Sequence, residues 1–410
     1  MGYNFSHAIT IDPTHVGGSG FKNVPFFDIA NYVLYFSGTY DGTVNVTNPN
    51  GINFKTVANG GEIIDPNGLD LVFTSDLAGL NILNFERVFY DGTTGKMEFH
   101  VQIPNLSHTS VNTIYIQCNC AAPADKSNIT ATWESAYVLV VHGGNGSIVN
   151  VNDSTSNANN GTNNGTTFSS SLMAGPGGSV SLANGDVDFG AGSSLNIKDG
   201  SAGLVIQYVV KPAGVPVDTH YNIVVGKFVA GSEGYISWIN SYPDGAAPNA
   251  VFIELDPSTY NMNAGGAIAV GSVRLYTQEW HPGDKTLTVF CSDFVAGTLS
   301  SQQASPVNAP VLGDSAAIHL VLGYNAAAIE FPDYREAWSG QIDELRIRNA
   351  PFPNGSGGSG GLENRVKAEF SNFNFIADFY TLGPKVANAN PAPCNSNPPV
   401  PVTAWGVWGR

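Results

Sequence analysis

Asp343 lies in a segment, 342–347, whose alternation places it on one strand face with Leu345 and Ile347. An acid in an apolar row must be hydrogen-bonded or metal-bound. It either ties down a neighbouring loop through backbone N–H groups or serves as a carboxylate ligand for Ca2+. Calcium needs several further oxygens, and Asp153 and Asn152, in an Asn-rich stretch, are the donors the sequence offers. A second chemistry is sugar binding, because a pyranose has one apolar face and a rim of hydroxyls. Tyr235, Trp238, Tyr242 and Trp280 can supply aromatic platforms, with Asn240 and Asp244 close by in sequence. Trp238 is two residues from Ile236, so at strand spacing it can equally be core.

Catalytic constellations are harder to find. Glycoside hydrolysis needs two facing carboxylates. Glu233, Glu254, Asp256, Glu279 and Asp284 are available in this half of the chain, and nothing in their spacing singles out a pair. No serine sits in a GxSxG elbow. His142, in VVHGGN after an apolar run, reads first as a hydrogen-bonded structural histidine. The balance favours binding over catalysis.

The elements that must position these residues are strands. In 96–103, Met97, Phe99, Val101 and Ile103 form one row and Lys96, Glu98, His100 and Gln102 the other. That is the pattern of an antiparallel strand with one face in a core and one in water. Asp91-Gly92 supplies the preceding turn. Similar segments recur at 7–11, 69–74, 113–117, 204–210, 221–228, 237–239, 251–255, 274–277, 286–291 and 319–322. The expected class is all-β, with two β-sandwich domains at 1–130 and 131–386 and an extended C-terminal arm at 387–410. Residues 121–129 read as the connection between the sandwiches. Residues 150–171, rich in Asn, Gly, Ser and Thr, read as a surface loop or a weakly held edge. NGSGGSGG, 354–361, is a linker by composition. Residues 362–370 are the best helix candidate, with Val366 and Phe370 on one face. The arm is rich in Pro and Asn and ends on Trp405 and Trp408, which are costly to leave in water and suggest docking onto a partner.

Asp, Glu, Lys and Arg make up only 12% of the 410 residues, about half the usual share. The neutral polar surface this implies suits a protein outside cells. The net charge of −16 argues against nucleic acid, and against an anionic membrane surface. No apolar stretch is long enough for a spanning helix, so no membrane insertion is expected. The opening MGYNFSHAITID shows neither a basic region nor an apolar run, as expected for a virion component released by lysis rather than exported. Four cysteines, Cys118, Cys120, Cys291 and Cys394, fit no zinc spacing. They are expected to be free thiols packed as small hydrophobes, with Cys118 and Cys120 on one strand face.

Two stretches resemble known families. ITIDPTHV, GLDLVFTSD, FERVFYDGTTGKMEFHVQIPNLS and NTIYIQCN, within 5–130, resemble the DUF2341 modules of bacterial, archaeal and phage surface proteins. This chain has Gln117-Cys118-Asn119 where that family favours tyrosines and glycine. TWESAYVLVVHGGN, DSTSNANNGTNNGT and WSGQIDELRIRNA, within 133–382, resemble the laminin-G/concanavalin A-like lectin sandwich that often follows it. His142 looks like the histidine that follows the first strand of that sandwich. The resemblance implies surface display, sugar binding or adhesion, and Ca2+ as the cofactor of some members. The expected function is therefore a non-enzymatic bacteriophage virion protein, of capsid-decoration or tail-fibre type, with a lectin-like surface. Its partners would be other virion proteins, copies of itself and host-surface glycans. A secreted bacterial or archaeal lectin or adhesin is the alternative, and a glycan-cleaving enzyme the third reading.

Overall fold

A computed structural model describes residues 2–16, 27–183, 185–198, 200–213, 222–229, 233–240, 250–255, 258–262, 268–282, 286–304, 315–323, 339–353, 360–389 and 393–394. The chain is all-β, as expected, with four sheets and one longer helix, Gly360–Asn374, among the described residues.

The first sandwich pairs a five-stranded sheet with a three-stranded one. In the larger sheet, Phe5–Ile11 lies between Asn112–Cys118 and the late strand Tyr380–Leu382, and Val72–Thr74 closes the far edge. In the smaller sheet, Lys96–Leu106 lies between Ile29–Thr39 and Phe85–Asp91. Phe73 from one sheet meets Phe36, Phe85 and Phe99 from the other at 5.2–5.5 Å between ring centroids. Met97, Phe99, Val101 and Ile103 point into this core, as their alternation predicts.

The opposite row differs from the expectation. Glu98 and His100 are fully buried rather than solvated, because the second sandwich covers the outer face of the smaller sheet. Alternation shows that two faces differ; it does not show what covers the polar one.

The second sandwich packs a ten-stranded sheet against a seven-stranded one. Leu204–Pro212 and Gly340–Arg348 form the middle of the larger sheet, with Tyr137–Val141 paired to the latter. Ile206, Val210, Tyr276, Ile342, Leu345 and Ile347 of that sheet meet Val224, Tyr235 and Ile239 of the smaller one in a common core. Residues 150–171 hold the short, largely exposed strands Thr162–Asn164 and Thr167–Ser170, a weakly held edge as expected.

The helix runs over Gly360–Asn374, longer at both ends than its sequence pattern suggests. It is wedged between the sandwiches. Asn372 accepts from Tyr35 N–H (2.7 Å) and donates to Tyr35 C=O (2.8 Å), and Arg365 donates to Ala30 C=O (2.7 Å). From the same helix, Glu369 accepts from Gln207 Nε2 (2.7 Å) and Asn374 donates to Phe294 C=O (2.9 Å), both in the second sandwich. Residues 354–359 of the expected linker lie outside the described residues.

The chain after the helix returns to the first sandwich. Tyr380–Leu382, grouped by sequence with the second sandwich, pairs with Phe5–Ile11, and Val386–Ala387 pairs with Ser6 and Phe5. Gly2 bridges to Pro393. The start of the expected extended arm is thus sheet-bound within its own chain. A Cys120–Cys394 disulfide fastens it, correcting the expectation of four free thiols. Cys118 and Cys291 are free and buried. Asn119, with φ of 64°, turns the chain between Cys118 and Cys120, so the two do not continue one strand face. Trp405 and Trp408 lie outside the described residues.

Candidate functional site

Among the described residues, a dense grouping of ionisable side chains lies where the two sandwiches meet. Glu86, on Phe85–Asp91, and Glu98 and His100, on Lys96–Leu106, face outward from the first sandwich. His142 follows Tyr137–Val141, and Asp343, Glu344 and Arg346 sit on Gly340–Arg348. All seven are buried.

The backbone explains why so much charge gathers on one strand. Glu344 has φ of 52°, the left-handed region that a non-glycine residue seldom adopts. The opposing strand shifts register between Gln207 and Val209. Ile342, Leu345 and Ile347 face the core, and this irregularity turns both Asp343 and Glu344 toward the junction. Asp343 therefore does not share a face with Leu345 and Ile347. Strict alternation cannot anticipate a left-handed residue that is not glycine.

The contacts form a continuous path. His142 Nε2 lies 3.2 Å from Glu86 Oε2, and His142 Nδ1 lies 2.5 Å from Glu344 Oε1. Arg346 donates through Nη2 to Glu344 Oε2 at 2.7 Å and lies 3.6 Å from Glu369, which is 3.7 Å from Arg365. Trp133, at the end of the sandwich connection, donates through Nε1 to Glu86 (2.8 Å), and the Arg346 guanidinium sits 5.0 Å from its ring centroid. The path leaves the first sandwich at Glu86, crosses the second, passes into the helix and returns to the first at Ala30.

Charge within the cluster is unevenly distributed. Burial disfavours charge on His142, but Glu344 and Glu86 on either side outweigh it and hold its pKa well above the ordinary imidazole value. Burial lowers that of His100, with the nearby His142 charge adding to it. Glu344 is depressed despite burial by His142, His100 and Arg346, and Glu86 by His142. Burial, then Asp343 and Glu344, pushes Glu98 up to about 8. Burial, then Glu344, pushes Asp343 up to about 8.

Two arrangements within the cluster resemble chemistry. Ser154 Oγ lies 3.3 Å from His142 Nε2, and His142 Nδ1 faces Glu344, the order of a hydrolase triad. Ser154, however, donates to Glu86 Oε1 (2.6 Å), and His142 is kept protonated between two carboxylates, so it has no lone pair with which to act as a base. Sequence reasoning missed this grouping, since its members are spread from 86 to 344 and share no motif. His100, His142 and Glu344 also place one ligating atom each within 4.8 Å of one another. Their geometry suits an ion network better than a metal. The two imidazoles stack 19° from parallel, so their in-plane lone pairs do not converge on one point.

The residues expected to bind ligands lie elsewhere. Asp343 accepts from Ser171 Oγ and Leu172 N–H, each at 2.9 Å, and thereby ties down a loop. Asp153 accepts from Val140, Thr155 and Asn159 N–H groups and from Thr155 Oγ1, organising its own loop. Asn152 is exposed, and its N–H donates to Asn150. Asp343 therefore serves a different loop from Asp153 and Asn152, and among the described residues neither Asp343 nor Asp153 belongs to a group of three or more ligating His, Cys, Asp or Glu side chains. Tyr235, Trp238 and Trp280 are at most 3% exposed, so none offers a sugar platform on the isolated chain. Tyr235 donates to Leu195 C=O from inside the second core. Asn240 ends the strand Glu233–Asn240; Tyr242 and Asp244 lie outside the described residues.

No family model matches the chain, and no curated protein matches it in sequence. Among solved structures, a heptameric SAP-like pentraxin from Limulus polyphemus aligns over 47% of this chain and 84% of its own, at 11% identity and a TM-score of 0.31. A botulinum neurotoxin DC binding domain, solved with rat synaptotagmin II, aligns over 59% of this chain and 52% of its own, at 8% identity and a TM-score of 0.39. A Lotus tetragonolobus seed lectin aligns over 46% of this chain and 96% of its own, at 11% identity and a TM-score of 0.27. Similarity this low says nothing of what the chain does.

Proposed function

We propose that this chain is a non-catalytic structural protein of a bacteriophage particle, of the capsid-decoration or tail-fibre kind, with a lectin-like surface on its second sandwich. The observation that carries the reading is the junction. His142, Glu86, Glu344 and Arg346, the groups best suited to proton transfer or charge stabilisation, are buried and committed to one another across the two sandwiches. A buried ion network adds little net stability, but it enforces one orientation, because any other leaves charges unpaired. A spacer that presents a binding face at a fixed angle needs that property. Tyr235, Trp238 and Trp280 lie in the interior, so the proposed lectin-like surface does not rest on them. The resemblance to DUF2341 and laminin-G-like modules supports surface display.

The disulfide favours a second reading, a secreted lectin or adhesin. Cys120–Cys394 needs an oxidising surrounding to form and persist, as outside a cell. Mass spectrometry of purified particles separates the two: stoichiometric incorporation supports the virion protein, and recovery only as a secreted monomer supports the adhesin. A glycan array followed by product analysis tests the rest. Binding without turnover is expected; release of shortened glycans overturns the non-catalytic assignment, and binding to no glycan removes the lectin-like surface.

A further inference from the structure

We propose that His7, Glu62 and Cys118 form a zinc-type divalent metal site at the edge of the first sandwich. His7 and Cys118 lie on neighbouring antiparallel strands, with Phe5 opposite Cys118 and His7 opposite Ile116, so the two side chains are diagonal neighbours on one face. Glu62 reaches them from a loop pinned at both backbone groups. Its N–H donates to Asn53 C=O, and its C=O accepts from Asn119 Nδ2 (2.8 Å). One ligating atom from each of the three residues lies within 4.8 Å of the other two.

The orientation of His7 favours a cation. Its Nδ1 faces the Gly383 carbonyl at 3.4 Å, the arrangement that fixes the tautomer of a metal-bound histidine and leaves Nε2 as the ligand. Nε2 then turns a lone pair toward Glu62 Oε2, 3.2 Å away. Two electron-rich atoms face to face require a positive charge between them, either a proton or a metal ion. The Cys118 sulfur, as third donor, selects the metal. An N, O and S donor set suits Zn2+ and disfavours Ca2+ and Mg2+, which prefer oxygen.

The surroundings leave room for this role. Lys385 Nζ lies 3.5 Å from Glu62 Oε1, on the other carboxylate oxygen, so Oε2 remains for the metal. The Glu62 side chain is 14% exposed, which gives an entry path and a place for a water as fourth ligand. The left-handed Asn119 diverts Cys120 to its disulfide, so Cys118 stays a thiol beside an oxidised pair. On binding, the Cys118 thiol releases its proton to solvent and the sulfur coordinates as thiolate.

The test is titration of Co2+ into the full chain, disulfide intact, after dialysis against a chelator. One equivalent is expected to raise a thiolate-to-cobalt charge-transfer band in the near ultraviolet, and Zn2+ should bleach it. Cys118→Ser should lose the band, Cys291→Ser should keep it, and Glu62→Gln should weaken binding by roughly tenfold or more. Absence of the band in the unmutated chain overturns the site, as does its survival in Cys118→Ser. If circular dichroism shows Cys118→Ser unfolded, Glu62→Gln, at a partly exposed position, decides, and unchanged affinity there overturns the site.

Discussion

The His100 and His142 rings, one from each sandwich, stack with centroids 4.4 Å apart and planes 19° from parallel. One ring is held protonated between Glu86 and Glu344, and the other is driven toward neutrality by burial. An imidazole whose charged form is favoured therefore lies flat on one whose charged form burial disfavours, at the centre of the junction. Removing His142 would leave Glu86 and Glu344 without their shared counter-charge. His142→Ala is expected to destabilise the fold by about 3–5 kcal/mol. A denaturant midpoint unchanged from the unmutated chain would show that the pairing contributes nothing.

Glu98 and Asp343 make the junction sensitive to rising pH between about 4 and about 8. Each is raised to about 8 in the folded chain, against about 4 when unfolded. A group raised on folding contributes its stability fully below the unfolded value and loses it as pH climbs through the folded one. His142, also raised, adds a further loss on the alkaline side. Glu86 and Glu344 are depressed and act in the opposite sense, losing their contribution as pH falls below about 4. Stability should therefore be greatest at mildly acidic pH and fall by on the order of a few kcal/mol toward about pH 9. Glu98→Gln should flatten the fall between about pH 4 and about pH 8, measured as urea midpoints across pH; parallel curves for the two proteins would contradict the assignment.

Gly177 belongs to a loop of the second sandwich that lies directly on the first. A Cβ there would strike the Glu98 carboxylate, and one at Gly175 would strike Ser37 and the Tyr35 hydroxyl. Gly177→Ala is expected to cost about 1–3 kcal/mol through forced separation of the two surfaces. A thermal midpoint within error of the unmutated chain would mean that the loop yields freely.

The disulfide joins residues 274 apart in sequence. Reduction is expected to cost about 2–4 kcal/mol, chiefly by freeing the unfolded chain. It should also open the pairing of Ser6 with Val386 and Phe5 with Ala387, seen as faster hydrogen exchange at the N-terminal strand. Unchanged exchange after reduction would show that the sheet pairing alone holds the C-terminal segment.

The sequence disclosed the strands whose two faces differ sharply. The Met97, Phe99, Val101 and Ile103 row was legible because one sandwich core claims it. Glu98 and His100 were not, because burial of a polar row depends on a second sandwich that local alternation cannot report. Tyr235, Trp238 and Trp280 carry the same composition whether they line a core or a binding face, and only packing decides. The partners of His142 come from residues 86 and 344, and Cys120 finds Cys394 across most of the chain. No spacing rule connects positions so far apart.

The claim that joins these points is that buried charge makes the two sandwiches a single body. Scanning calorimetry of the full chain beside Glu344→Ala tests it most directly. The unmutated chain should unfold in one cooperative transition, whereas the variant, stripped of the acceptor shared by His142 and Arg346, should unfold in two. Two well-separated transitions in the unmutated chain would show that its sandwiches are independent and that the junction does not hold them together.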